Sequence, residues 1–72
     1  MNTSEDLQLF GKHLKSLRLS KGLSQEKLAF AVELDRSYIS DIERGKRNVS
    51  LVNILKLASA LHIHPKELFE YK

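Results

Sequence analysis

The stretch Leu23 to Ser50, LSQEKLAFAVELDRSYISDIERGKRNVS, decides how this chain is to be read. Ser24 is suited to an N-cap, because its side-chain oxygen accepts from the orphan N–H groups of a first helical turn. Gln25 to Val32 follow, nearly all good helix formers, and predict a helix of about two turns. After Glu33 and Leu34, Asp35 caps a further segment from Arg36 to Arg44, which Gly45 ends.

On a wheel of about 100° per residue, Ile39 and Ile42 fall on one side of the 36–44 segment. Arg36, Ser37, Ser40, Asp41 and Arg44 populate the other. That second face consists of hydrogen-bonding side chains, including guanidinium groups able to grip a guanine edge in bidentate fashion. The competing reading is a solvated amphipathic helix in which Asp41 and Arg44 pair at i,i+3. Spacing weighs against it. When two helices cross closely, the first needs a small residue at the contact and both need apolar residues to lock the pair. In the frame that begins at Gln25, Leu28, Ala29, Val32, Leu34, Ile39 and Ile42 all fall where that packing requires them.

Working outward, Leu7, Phe10, Leu14 and Leu17 recur at helical spacing, with Ser4 as cap and Gly22 as the stop after Lys21. Leu9 and Leu19 lie off that face, either partly exposed or meeting another element. On the far side, Ser50 caps Leu51 to Leu61, where Leu51, Ile54, Leu57, Ala58 and Leu61 form one stripe. Pro65, the only proline, suits a first helical position, with Leu68 and Phe69 supplying contacts for a short helix to about Tyr71. No strand-like alternation, linker or repeat interrupts the series. The expectation is an all-α, five-helix domain spanning residues 1–72, with its helix-turn-helix core at about 25–44.

At 72 residues the chain amounts to one small domain, which buries roughly 60% of its unfolded surface. Cysteine is absent, so disulfides, thiolate metal sites and a cysteine nucleophile are excluded. The net charge of +3 hides a segregation. Residues 1–10 carry Glu5 and Asp6 and nothing basic, whereas residues 11–47 carry nine basic and five acidic side chains. The positive run ends in Arg44, Lys46 and Arg47, a patch that suits a polyanion, or on charge alone a solvated face. No apolar run approaches the ~18 residues of a membrane span, and no signal-peptide pattern opens the chain, so a cytoplasmic, nucleoid-associated location is expected.

The 23–50 stretch resembles the helix-turn-helix of the Cro/cI (XRE) superfamily of transcriptional regulators. The segment LVNILKLASALHIHPKELF is similar to that family's closing helices, so the resemblance covers nearly the whole chain and implies a lambda-repressor-like domain. LDRSYISDIERGKRNVS and the short length further resemble the controller proteins of restriction-modification systems. One departure stands out: the inter-helix turn usually holds a glycine with positive φ, and Glu33 occupies it here.

The resemblance implies a sequence-specific regulator of bacterial or phage origin that binds a palindromic double-stranded DNA operator. Arg36 and Ser37 would reach base edges, with Ser40 and Asp41 deeper. Asp41 repels phosphate, but a carboxylate accepts from cytosine N4. Tyr38 lies on the flank, reaching backbone and a thymine methyl or simply packing. Gln25 would meet a phosphate at the start of its helix, while Arg44, Lys46, Arg47, Asn48 and Ser50 form the other phosphate contacts. Arg18 and Glu43 correspond to a structural ion pair between the first and third helices.

One recognition helix reads about four base pairs at ~1–3 kcal/mol each, too little to select one site among ~10⁶ competitors. A homodimer is therefore expected, using Val52, Leu55, Ile63 and Tyr71 at the margin of the core stripe, unless these are ordinary surface scatter. His62 and His64 stand at i,i+2 and share no helix face, so no metal site is assigned. A Ser-His-Asp set has no oxyanion hole to serve, and the expectation is a non-enzyme without cofactor or small-molecule effector site. The alternative function is a protein-interaction module of the same fold, such as an antitoxin binding a toxin.

Overall fold

The computed structural model describes residues 3–71, and those residues form four α-helices and a C-terminal 3-10 turn. The helices are α1 (Thr3–Ser20), α2 (Gln25–Ala31), α3 (Arg36–Glu43) and α4 (Leu51–Leu61), and the turn is Pro65–Phe69. The expected fifth helix is thus this tighter turn, and Tyr71 lies beyond it. Five residues between Pro65 and the chain's last apolar contacts are too few to propagate an α-helix.

Each junction has a local cause. α1 closes on Gly22 in the left-handed conformation, φ +71°, with the Leu23 N–H donating to the Arg18 carbonyl at 3.1 Å. Ser4, expected as the cap, lies inside α1, whose first described residue is Thr3. Ser24 Oγ accepts from Lys27 N–H at 3.1 Å, and Ser50 Oγ from Asn53 N–H at 3.2 Å, fixing the starts of α2 and α4. Asp35 takes the cap position of α3 by its backbone alone; its side chain makes no capping bond. α3 ends at Glu43, one residue earlier than expected, because Gly45 at φ +75° turns the chain and its N–H bonds the Ile42 carbonyl.

Two histidines shape the C-terminal end. His62 stops α4 in the left-handed region, φ 57° and ψ 43°, a conformation in which His is enriched among non-glycine residues. His64 then caps the 3-10 turn: its N–H donates to Glu67 Oε2 at 2.9 Å and its Nδ1 accepts from Lys66 N–H at 3.1 Å. Pro65 opens the turn at its first position, where a missing N–H costs nothing.

Leu14, Leu28, Ile39, Ile42, Leu57, Leu61 and Leu68 are fully buried, and each such side chain contributes roughly 1.5–3 kcal/mol. α3 packs on α1 and α2, and α1 also meets the C-terminal turn, which rests on α4. α1 therefore braces both halves. Midway along α1, the Phe10 ring meets that of Phe69 with centroids 5.5 Å apart and planes tilted by 41°, and His13 Nε2 donates to the Glu67 carbonyl at 2.6 Å. Leu51, expected in the α4 stripe, is 70% exposed because it occupies the first turn, ahead of the core. Leu9 is half-buried and Leu19 exposed.

Candidate nucleic-acid interface

The placement of α3 begins with its back. Ile39 and Ile42 sink into the core, and Gly11 of α1 lies so close that a Cβ there would stand 2.2 Å from the Ile42 carbonyl oxygen. Only glycine permits this approach of backbone to backbone. Sequence reading found the small residue Ala29 on α2 but missed Gly11, since a glycine inside a helix pattern reads as a weak point until its neighbour is known.

Below this contact, Arg18 Nε and Nη2 donate to Glu43 Oε2 and Oε1 at 2.6 and 3.0 Å. Both side chains are withdrawn from water, and Arg18 Nη1 donates to the Leu23 carbonyl at 2.8 Å. Gln25 Nε2 donates to Glu43 Oε1 at 3.0 Å. The carboxylate thus ties α1, α2 and α3 together, with both of its oxygens hydrogen-bonded as a buried charge requires. The amide expected at a phosphate thus gives one of its hydrogens to Glu43.

The turn between α2 and α3 runs through Glu33 at φ 57°, the left-handed position the sequence assigned to it. The Leu34 N–H donates to the Ala29 carbonyl at 2.9 Å, closing the end of α2.

The front of α3 faces outward. Arg36, Ser37 and Arg44 are exposed, while Ser40 and Asp41 are half-buried. Arg36 makes no ion pair with the described residues. Asp41 does: its Oδ1 lies 2.6 Å from Arg44 Nη2 and its Oδ2 lies 3.9 Å from Arg47 Nη2. The Arg47 guanidinium also sits 4.6 Å from the centroid of the half-buried Tyr38 ring, a cation–π contact. Asn53 Nδ2 of α4 donates to the Tyr38 hydroxyl at 3.0 Å, leaving the phenolic proton free to donate outward. Asn53 went unnoticed in the sequence because a polar residue in the first turn of a helix carries no signal of what it will reach. Lys46, Asn48 and Ser50 lie exposed along the same loop.

These features together, a short helix locked against its predecessor by a tight left-handed turn and offering a polar face outward, are those of a helix-turn-helix. The family model described as helix-turn-helix matches residues 14–68. The chain belongs to the helix-turn-helix family. Among relatives in that family, the control protein C.BamHI of Bacillus amyloliquefaciens is 58% identical over 64 residues, 88% of this chain and 79% of that protein. The control protein C.MunI of Mycoplasma sp is 56% identical over 61 residues, 83% of this chain and 82% of that protein. The crystal structure of the restriction-modification controller protein C.AhdI from Aeromonas hydrophila superposes with a TM-score of 0.89 at 66% identity, covering 90% of this chain and 98% of that one.

In this helix-turn-helix domain, α4 and the C-terminal turn also carry exposed apolar side chains. Val52 and Leu55 are 61% and 48% exposed, and Leu51 and Phe69, which were not among the expected interface residues, are exposed as well. Ile63 and Tyr71 are half-buried, with the Tyr71 ring 5.8 Å from that of His13. The histidines serve local structure, and no group of three or more metal-ligating side chains forms among the described residues. No helix among them is long and apolar enough to cross a membrane.

Proposed function

We propose that this chain is a DNA-binding transcription regulator of the restriction-modification controller class, acting as a homodimer on a palindromic operator with α3 in the major groove. The observation that carries the reading is the two-sided character of α3. Its back is fixed by Ile39, Ile42 and Glu43, and its front holds Arg36, Ser37 and Ser40 outward. Fixed backbone with outward donors is what base readout requires.

In this reading Arg36, Ser37, Ser40 and the flanking Tyr38 meet base edges. Arg44, Lys46, Arg47, Asn48 and Ser50 grip phosphate, positioning the helix without reading sequence. Gln25 stays a phosphate contact in this reading, its amide having a second hydrogen beyond the one given to Glu43. The exposed apolar side chains Leu51, Val52, Leu55 and Phe69, with the half-buried Ile63 and Tyr71, support pairing of two copies, which doubles the readout. The protein works on DNA in the cytoplasm, needs no cofactor and performs no catalysis.

A protection footprint on the DNA upstream of its own gene, repeated across salt concentrations, tests the reading. A symmetric protected site whose affinity falls steeply with salt is expected, because several phosphates per subunit exchange counterions for arginine and lysine. Duplex affinity that stays millimolar at low salt would instead favour a protein-interaction module such as an antitoxin.

A further inference from the structure

A carboxylate stands in the middle of the surface meant for DNA. At about 100° per residue, Asp41 falls between Ser37 and Tyr38 on the outward face of α3, with Arg44 beside it. Facing a polyanion, a carboxylate in that position is repelled. Here it is occupied instead by Arg44 at 2.6 Å and Arg47 at 3.9 Å. Arg47, close to the carboxylate without a hydrogen bond to it, also lies over the face of Tyr38, which is itself tethered to α4 through Asn53. The guanidinium groups proposed to hold phosphate are thus already turned toward an anion belonging to the protein.

Resting on the proposed DNA-binding role, the geometry points to Asp41 as an internal competitor of DNA phosphate: its carboxylate holds Arg44 and Arg47 until duplex displaces it, and so lowers duplex affinity. The chemistry is matched, because carboxylate and phosphate are alternative partners for the same planar guanidinium fork. The pairs are also weak enough to be exchanged. Their side chains are 31% to 58% exposed, so water and salt screen them. Displacement leaves the freed carboxylate near phosphates, which adds a second opposing effect. Tyr38 keeps Arg47 in place while its anionic partner changes, so the exchange needs no refolding of the loop.

The test is fluorescence anisotropy with a duplex of random sequence and with the footprinted operator, at several salt concentrations. The proteins are the wild type, Asp41→Asn, the double variant Arg44→Ala/Arg47→Ala, and the triple variant combining all three. Asp41→Asn keeps the shape and removes the charge. It is expected to bind both duplexes roughly fivefold tighter, the upper end for release of an exposed ion pair. Its salt slope should stay close to that of the wild type, because both arginines reach phosphate in either complex. In the background lacking both arginines the gain should shrink to the smaller part owed to repulsion between the carboxylate and phosphate.

Unchanged affinity in Asp41→Asn overturns the inference, as does a gain of the same size in the triple variant, which would mark a general charge effect. Weaker binding to the operator alone also overturns it and makes Asp41 a base reader. If the wild type binds duplex and loses affinity in the arginine double variant, any of these failures touches Asp41 only. If neither wild type nor Asp41→Asn binds any duplex, the DNA-binding role itself falls, and the inference with it.

Discussion

Arg18 and Glu43, twenty-five positions apart, meet through two hydrogen bonds of 2.6 and 3.0 Å beneath the crossing of α1 and α3. Because Glu43 is the last residue of α3, the pair fixes the inner end of that helix. Arg18→Met removes one partner and strands a buried carboxylate. The expected loss is about 3–5 kcal/mol, read by urea unfolding. Replacing Glu43 by leucine as well should recover much of it, since two apolar side chains leave no uncompensated charge.

Gly11→Ala should also destabilise, although alanine favours helices by about 1 kcal/mol over glycine. The new methyl meets backbone, at 2.2 Å from the Ile42 oxygen and 2.8 Å from the Glu43 oxygen, so α1 and α3 must separate. A net loss of about 2 kcal/mol is expected, the crowding outweighing propensity. Thermal melting of the variant beside Gly22→Ala, whose Cβ would meet nothing within 4 Å, separates crowding from backbone strain.

Glu33→Gly should act in the opposite direction. Glu33 sits at φ 57°, and its exposed side chain makes no ion pair with the described residues. Relieving the left-handed strain of a side-chain-bearing residue is expected to stabilise by about 1 kcal/mol, partly offset by the greater freedom of glycine in the unfolded chain. Differential scanning calorimetry checks the sign, and a lower melting temperature would contradict it.

Arg36→Ala and Arg47→Ala should fail differently in duplex binding. Loss of a base-reading arginine is expected to cost about 1–3 kcal/mol on the operator while leaving random sequence nearly untouched. Loss of a phosphate-gripping arginine weakens both duplexes alike and flattens the salt slope by about 0.9. Competition titrations on operator and random duplex separate the two patterns.

The reach of the sequence is clearest where cause and effect lie close together. Ser24, Ser50, Gly22 and Gly45 act on the adjacent turn, and each end they imply is present. The apolar positions of α2 and α3 repeat within one frame, so the helix-turn-helix was legible. Asp35 shows the limit, for a capping residue type does not oblige its side chain to bond. Gly11, Asn53 and the bond from Gln25 to Glu43 were hidden because each depends on a residue at least fifteen positions away. His62 and His64 were weighed as metal ligands, whereas their work is backbone geometry at the end of α4.

The close seating of α3 on Gly11 separates two kinds of residue along one eight-residue helix. Ile39, Ile42 and Glu43 answer to the interior, while Arg36, Ser37 and Ser40 answer to whatever lies outside. A lineage can therefore exchange the outer side chains, and with them its choice of target, without renegotiating the fold. The missing methyl group at residue 11 is in this sense a source of evolvability: the backbone beneath the outer side chains stays put when one of them is replaced.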